Sequence, residues 1–229
     1  MRKIFLSVVA AIALLGCSKE IPVCLDHPLD VDLPSDAEFV SGSLLYMNLS
    51  EEAEVDFAAL ERYVSEREPD VFLALARESD RDALVSAVEK CGLGLCVCSN
   101  PYDGRLSVIA SAEKMKDSAP GDAWAAASFN CCSAVVGSDS ENIMEETSGF
   151  NDRIFFLTSA SDPSERFYRK TFCNCIAVQW GVMMPTSSTS MTDYVFARPS
   201  QLSCAGAISM DRNSAWKHYP MSITIKKEL

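Results

Sequence analysis

Only two histidines occur in this chain of 229 residues, His27 and His218. His218 lies in the closing stretch SAWKHYPMSITIKK, where His-Tyr-Pro leads straight into an alternating pattern. Met221, Ile223 and Ile225 fall on one face of that pattern and Ser222, Thr224 and Lys226 on the other, which predicts a strand. An imidazole at its entrance suits either a general base or a plain turn residue. Cysteine is the other residue type that carries chemistry. Besides Cys17 there are nine: Cys24, Cys91, Cys96, Cys98, Cys131, Cys132, Cys173, Cys175 and Cys204. An odd number leaves at least one thiol free or paired between chains. The spacings are Cys-x-Cys twice and Cys-Cys once, unlike the Cys-x₂₋₄-Cys pairs of zinc sites. The plainer reading is small buried hydrophobes with one or two bridges. On strands, Cys96 and Cys98 would share a face, as would Cys173 and Cys175. No Gly-x-Ser-x-Gly, phosphate-binding glycine-rich loop or His-Glu-x-x-His occurs, so the commoner hydrolase and nucleotide-binding signatures are absent.

The first residues speak to compartment. Arg2 and Lys3 precede an apolar run from Ile4 to Leu15, too short to span a bilayer and laid out like a secretory signal. Leu14-Leu15-Gly16-Cys17 resembles the bacterial lipoprotein box. That resemblance implies removal of residues 1–16, a lipid on Cys17, and a chain held at the cell envelope. Ser18 after the cysteine points to the outer membrane. The full chain carries a net charge of −12. Such a surface repels phosphate backbones, so bulk nucleic acid is not expected as a partner.

The elements that must hold His218 follow from periodicity. Residues 17–38, with Pro22, Pro28 and Pro34, read as a tether, and 39–229 as one α/β domain. EFVSGSLLYMNLS is a first strand. Asp56 caps a helix with Phe57, Leu60 and Val64 on one face, ended by Pro69. VFLALA is a strand covered on both sides. A second helix follows, capped by Ser79 or Asp80, with Leu84, Val85 and Val88 inward and Gly92 as its stop. LGLCVCS and RLSVIAS pair across the turn NPYDG. AWAAASFNCCSAVVGS forms one or two strands, RIFFLTSA another, and DPSERFYRK a helical turn begun by Pro163. TFCNCIAVQWGVMM, DYVFARP, LSCAGAISM and YPMSITIKK complete a strand-rich second half.

Several of these segments fall in the order found in the endonuclease/exonuclease/phosphatase superfamily. LLYMNL resembles its first strand, with Asn48 at the asparagine. LERYVSEREPDVFLAL resembles its helix, Pro-Asp-Val and following strand. TDYVFARP resembles its Ile-Asp-Tyr-Ile-Phe strand, with Asp193 at the aspartate. WKHYPMSITI resembles its terminal Ser-Asp-His-x-Pro motif, with His218 at the catalytic histidine. The resemblance runs over about residues 39–227 and implies a four-layer α/β/β/α sandwich: two packed, mostly antiparallel sheets with outer helices. It also implies Mg²⁺ as cofactor if the chain is active, with Asn48 and Glu78 as residual metal ligands and Asp193 and His218 as residual catalytic groups.

The sequence departs from that pattern where the chemistry is densest. Counting from Pro69 puts the metal-binding glutamate at Ala76, and Glu78 reaches the role only by a slipped register. The Gly-Asp-x-Asn place reads Thr158-Ser159-Ala160-Ser161. Lys217 stands where an aspartate precedes the histidine, and predicts an imidazole with lowered pKa and no orienting carboxylate. Asn48, Asp193 and Glu78 each have a plainer role, as strand-end hydrogen bonder, loop bonder and helix-start charge respectively. The expectation is a degenerate, non-catalytic lipoprotein domain with a binding or envelope role and no cofactor. The alternatives are a divergent metal-dependent phosphodiesterase or phosphatase, and a cysteine-rich structural lipoprotein of another fold.

Overall fold

A computed structural model describes residues 39–176, 184–187, 190–198 and 205–228. The leader, Cys17, the tether with His27, and Cys204 lie outside them. Among the described residues two six-stranded sheets pack face to face. The first contains β1 (Phe39–Asn48), β2 (Val71–Arg77), β3 (Leu95–Cys98), β4 (Arg105–Ser111), β11 (Ala205–Met210) and β12 (Met221–Glu228), in the order β11-β12-β1-β2-β4-β3. The second contains β5 (Asp117–Pro120), β6 (Trp124–Ser128), β7 (Ser133–Ser138), β8 (Arg153–Thr158), β9 (Cys173–Asn174) and β10 (Asp193–Ala197), in the order β5-β6-β7-β8-β10-β9. Only β1–β2 and β7–β8 are parallel; the other pairings are antiparallel. Each parallel pair is joined through a helix, as a parallel connection requires.

The period-two residues build the core between the sheets. Tyr46, Leu73, Ile109 and Ile223 of the first sheet meet Ala134, Phe156 and Val195 of the second. The outer face of the first sheet is covered by α1 (Phe57–Arg67) and α2 (Arg81–Lys90), whose Leu60, Val64, Leu84 and Val88 pack on Phe72, Ala74 and Val108. The second is covered by α3 (Ile143–Glu146) and α4 (Ser164–Tyr168), through Ile143 and Phe167 against Phe155 and Phe196. The layers are therefore α/β/β/α, the sandwich expected. Among the described residues no helix is long and apolar enough to cross a membrane.

Local signals explain most of the boundaries. Asp56 accepts Ala59 N at 3.0 Å and starts α1, and Glu68 in the left-handed region ends it. Three details differ from expectation. Asp80 stands at the start of α2, but Arg77 Nε holds its carboxylate at 2.7 Å, so it makes no cap hydrogen bond. Ala87, not Val85, fills the inward face of α2. The strand expected from Thr171 shrinks to Cys173–Asn174, because Asn174 Oδ1 accepts Ile176 N at 3.1 Å and turns the chain into a helical step at Cys175; residues 177–183 of that segment lie outside the described residues. Cys96 and Cys98 do share a face, packed beside Cys91 on the helix-covered side. Cys173 is disulfide-bonded.

Candidate functional site

The carboxyl ends of β1, β7 and β8 meet the entrances of β10 and β12, and the polar residues there converge. Asp193 opens β10 and is fully buried. Its Oδ1 accepts Asn48 Nδ2 at 2.8 Å and the Tyr46 hydroxyl at 3.0 Å. Its Oδ2 lies 2.6 Å from His218 Nδ1. Two side chains of β1 and the imidazole that precedes β12 thus converge on one carboxylate of the second sheet. Period-two alternation puts Tyr46 and Asn48 on the same face of β1. The segment before β12 is clamped by Tyr219 N donating to Thr186 O at 2.8 Å, while Thr186 Oγ1 accepts Asp193 N at 3.0 Å. A carboxylate buried this deeply needs hydrogen-bond partners at both oxygens. Burial and the Asp193 charge push the Tyr46 phenol well above its ordinary pKa.

His218 is 3 % exposed. Its Nδ1 faces Asp193, so the neutral ring carries its proton there and leaves Nε2 as the acceptor. Nε2 is buried without a hydrogen-bond partner, and Glu51 Oε2 stands 3.4 Å away, within reach of an ion pair. Lys217 Nζ holds the same Glu51 oxygen at 2.8 Å, and Lys217 N donates to Glu52 Oε1 at 2.6 Å. The expected effect of Lys217 is therefore corrected. Its ammonium turns to Glu51, and Asp193 orients the ring from the opposite sheet. Burial alone would lower the His218 pKa, but the hydrogen bond and charge of Asp193, with Glu51 behind them, raise it. The Lys217 hydrogen bond lowers that of Glu51.

Of the residues singled out from sequence, Asn48, Asp193 and His218 come together and Glu78 does not. Glu78 is exposed on a 3₁₀ turn after β2, where its N–H bonds Gly104 O at 2.9 Å. Register explains its absence: Asn48 pairs with Leu75, and Ala76 faces the helices. Sequence reasoning missed Tyr46, Glu51 and Thr186. Tyr46 was within reach, two residues before Asn48 on an alternating strand. Glu51 and Thr186 sit in loops, and only the tertiary fold brings them to His218.

Beside this cluster opens a cleft of about 560 Å³, lined in part by Glu51, Tyr102, Arg105, Asp139, Ser161 and Thr192. Thr158 Oγ1 closes its floor, bonded to Thr192 O at 3.2 Å and 3.4 Å from Asn48 Nδ2. Asp139 also lines it, paired with Arg166 and accepting from Ser159 Oγ at 3.3 Å. Burial pushes the Asp139 carboxyl up despite Arg166.

These residues do not fit a Mg²⁺ ion. Magnesium takes near-octahedral oxygen ligands at roughly 2.0–2.1 Å. Asn48 Oδ1 is already shared by Ser50 N at 3.1 Å and Ser50 Oγ at 2.7 Å. Both Asp193 oxygens are engaged, and the cleft carboxylates Glu51 and Asp139 face Lys217 and Arg166. Among the described residues no group of three His, Cys, Asp or Glu side chains could hold a metal.

The arrangement defines the class of fold. The chain superimposes on a 3′ phosphatase, NExo, from Neisseria bound to product DNA hairpin, with TM-score 0.61 at 10% identity, covering 80% of this chain and 98% of that one. It matches an AP endonuclease from Archaeoglobus fulgidus with TM-score 0.61 at 11% identity, over 80% and 98% of the two chains. An endonuclease/exonuclease/phosphatase family protein from Bacteroides thetaiotaomicron matches with TM-score 0.56 at 12% identity, over 84% and 97%. The fold is thus the one shared by endonuclease/exonuclease/phosphatase proteins. No family model and no curated protein matches the sequence.

Proposed function

We propose that this chain is a lipid-anchored protein of the bacterial envelope whose endonuclease/exonuclease/phosphatase-like domain binds a ligand or partner and does not hydrolyse phosphoesters. One observation carries the reading: His218 Nε2, the atom a base would present to water, is buried under a Glu51 that Lys217 holds in place. A base must come within about 2.6–3.2 Å of the proton it takes. The residue changes support the same reading, with Ala76, Thr158-Ser159-Ala160-Ser161 and Lys217 at places where the resemblance leads one to expect acid or amide groups. The leader supports anchoring, since each buried CH₂ of an acylated Cys17 adds about 0.8 kcal/mol. A disulfide at Cys173 accords with an oxidising compartment.

The test is turnover of bis(p-nitrophenyl) phosphate by the purified full chain with Mg²⁺ or Mn²⁺. Rates equal to buffer are expected, unchanged in His218→Ala. Metal-stimulated hydrolysis lost in His218→Ala would overturn the reading. Membrane fractionation of the chain and of Cys17→Ala tests the anchor; a parent protein already in the soluble fraction would remove it. A second reading, a divergent phosphoesterase, is favoured by the 2.6 Å Asp193–His218 contact, which fixes the tautomer a base requires. It needs Glu51 to swing off Nε2, and the same assay decides it.

A further inference from the structure

The cleft beside His218 differs from an anion site in its charge pairing. Its two lining carboxylates are each matched by a cation of the same chain: Glu51 by Lys217 and Asp139 by Arg166. A phosphate entering there would meet two carboxylates whose cations are already engaged, with Arg105 as the one lining cation against them among the described residues. What remains is chiefly hydroxyl. Ser138, Ser159, Ser161 and Thr192 line the walls. Each hydroxyl offers one donor and two acceptor lone pairs, so Ser159 keeps capacity even while bonded to Asp139.

The rim carries an unusual residue. Tyr102 is 61 % exposed, yet it is not loose. Tyr102 N donates to Arg105 O at 2.9 Å and Arg105 N to Tyr102 O at 3.0 Å. Between them Asp103 and Gly104 have φ of 52° and 70°, the positive pair that a tight hairpin turn of type I′ demands. The turn therefore places an aromatic residue at the cleft mouth with Arg105 beside it, whose guanidinium lies 3.5 Å from Asp103. A tyrosine so placed offers an apolar face and a polar tip.

We infer that this cleft is a saccharide-binding site. Its walls bond ligand hydroxyls through neutral hydroxyls and the free lone pairs of Glu51 and Asp139, and Tyr102 stacks on the C–H face of a sugar ring. Its volume of about 560 Å³ falls among those of ligand clefts, roughly 300–1,000 Å³. The inference rests on the binding reading proposed above and supplies its ligand class.

The experiment is calorimetric titration of the purified full chain with maltose, cellobiose and N,N′-diacetylchitobiose, each in parallel with inorganic phosphate. At least one disaccharide binds, phosphate does not, and Tyr102→Ala weakens the disaccharide roughly tenfold, about 1.4 kcal/mol, with an unchanged melting temperature. Ser161→Ala, at an exposed position, weakens it by a smaller factor. No binding of any of the three disaccharides at about 10 mM, a concentration above the millimolar end of measurable affinity, overturns the inference. Phosphate binding in their place overturns it too, and so does disaccharide binding that Tyr102→Ala leaves intact. The non-hydrolytic reading fails separately, on metal-stimulated phosphodiester turnover, which these titrations do not measure.

Discussion

Asp193 is the residue on which the polar cluster turns. Removing it takes a hydrogen-bond partner from the Tyr46 hydroxyl, the Asn48 amide and the His218 ring, all buried. Breaking one partner of a buried pair costs about 3–5 kcal/mol, so Asp193→Ala should lose that much in urea denaturation, more than loss of an exposed pair such as Glu51–Lys217. The pH dependence follows from His218. Its folded pKa is raised, so its stabilising contribution is complete below the unfolded value near 6.5 and is lost as pH rises through the folded value. Parent protein should therefore lose stability as the pH climbs from the unfolded value near 6.5 through the raised folded value, and His218→Gln should flatten that slope. In Asp193→Asn the His218 ring resonance, followed by NMR, should titrate at lower pH than in the parent. Asn48, Asp193 and His218 were legible in the sequence because each stands at a strand end inside a recognisable local pattern. Glu51 was not, because nothing in Asn48-Leu49-Ser50-Glu51-Glu52 says which of two adjacent acids will face His218, more than 160 positions away.

At the scale of elements, the contact between β1 and the β6–β7 hairpin is tighter than either sequence suggests. A Cβ on Gly42 would come 2.7 Å from Cys131 Sγ. That glycine is kept for space, and its neighbour across the sheets is one of the vicinal cysteines that sequence alone leaves without a role. Gly42→Ala should cost about 1–3 kcal/mol from overpacking. Adding Cys131→Ala should recover a good part of it, and the coupling in a double-mutant cycle measured by thermal unfolding checks the contact; strict additivity would show that the hairpin yields without strain. The elements themselves were largely readable, since alternation marks strands whose inward faces build the core. What stayed hidden was short or non-periodic: β5, with four residues, and α3, also with four, carry too little pattern to rise above a loop. Asp80 was misread because a better partner, Arg77, reached its carboxylate from the preceding strand.

At the scale of the molecule, fold and surface pull apart. The sandwich is shared with a phosphatase seen on a DNA hairpin and with an AP endonuclease. A duplex is held chiefly by cations set against its phosphates, and each such contact adds to a steep loss of affinity with salt. This chain carries −12, and the cleft acids Glu51 and Asp139 already engage Lys217 and Arg166. Fluorescence anisotropy with a labelled duplex of about 20 base pairs should therefore show no saturable binding at micromolar protein near physiological salt, where non-specific binders reach roughly 10⁻⁴–10⁻⁶ M. Lowering the salt should recover little, because the long-range field is repulsive and weaker screening strengthens it. Micromolar affinity falling linearly with log salt would instead mean a local basic groove that outweighs the net charge. A duplex bound at the cleft would meet Glu51 and Lys217 beside His218, so binding there would come with a shift in the His218 titration. Neither effect is expected of a sandwich whose surface carries this excess of acid.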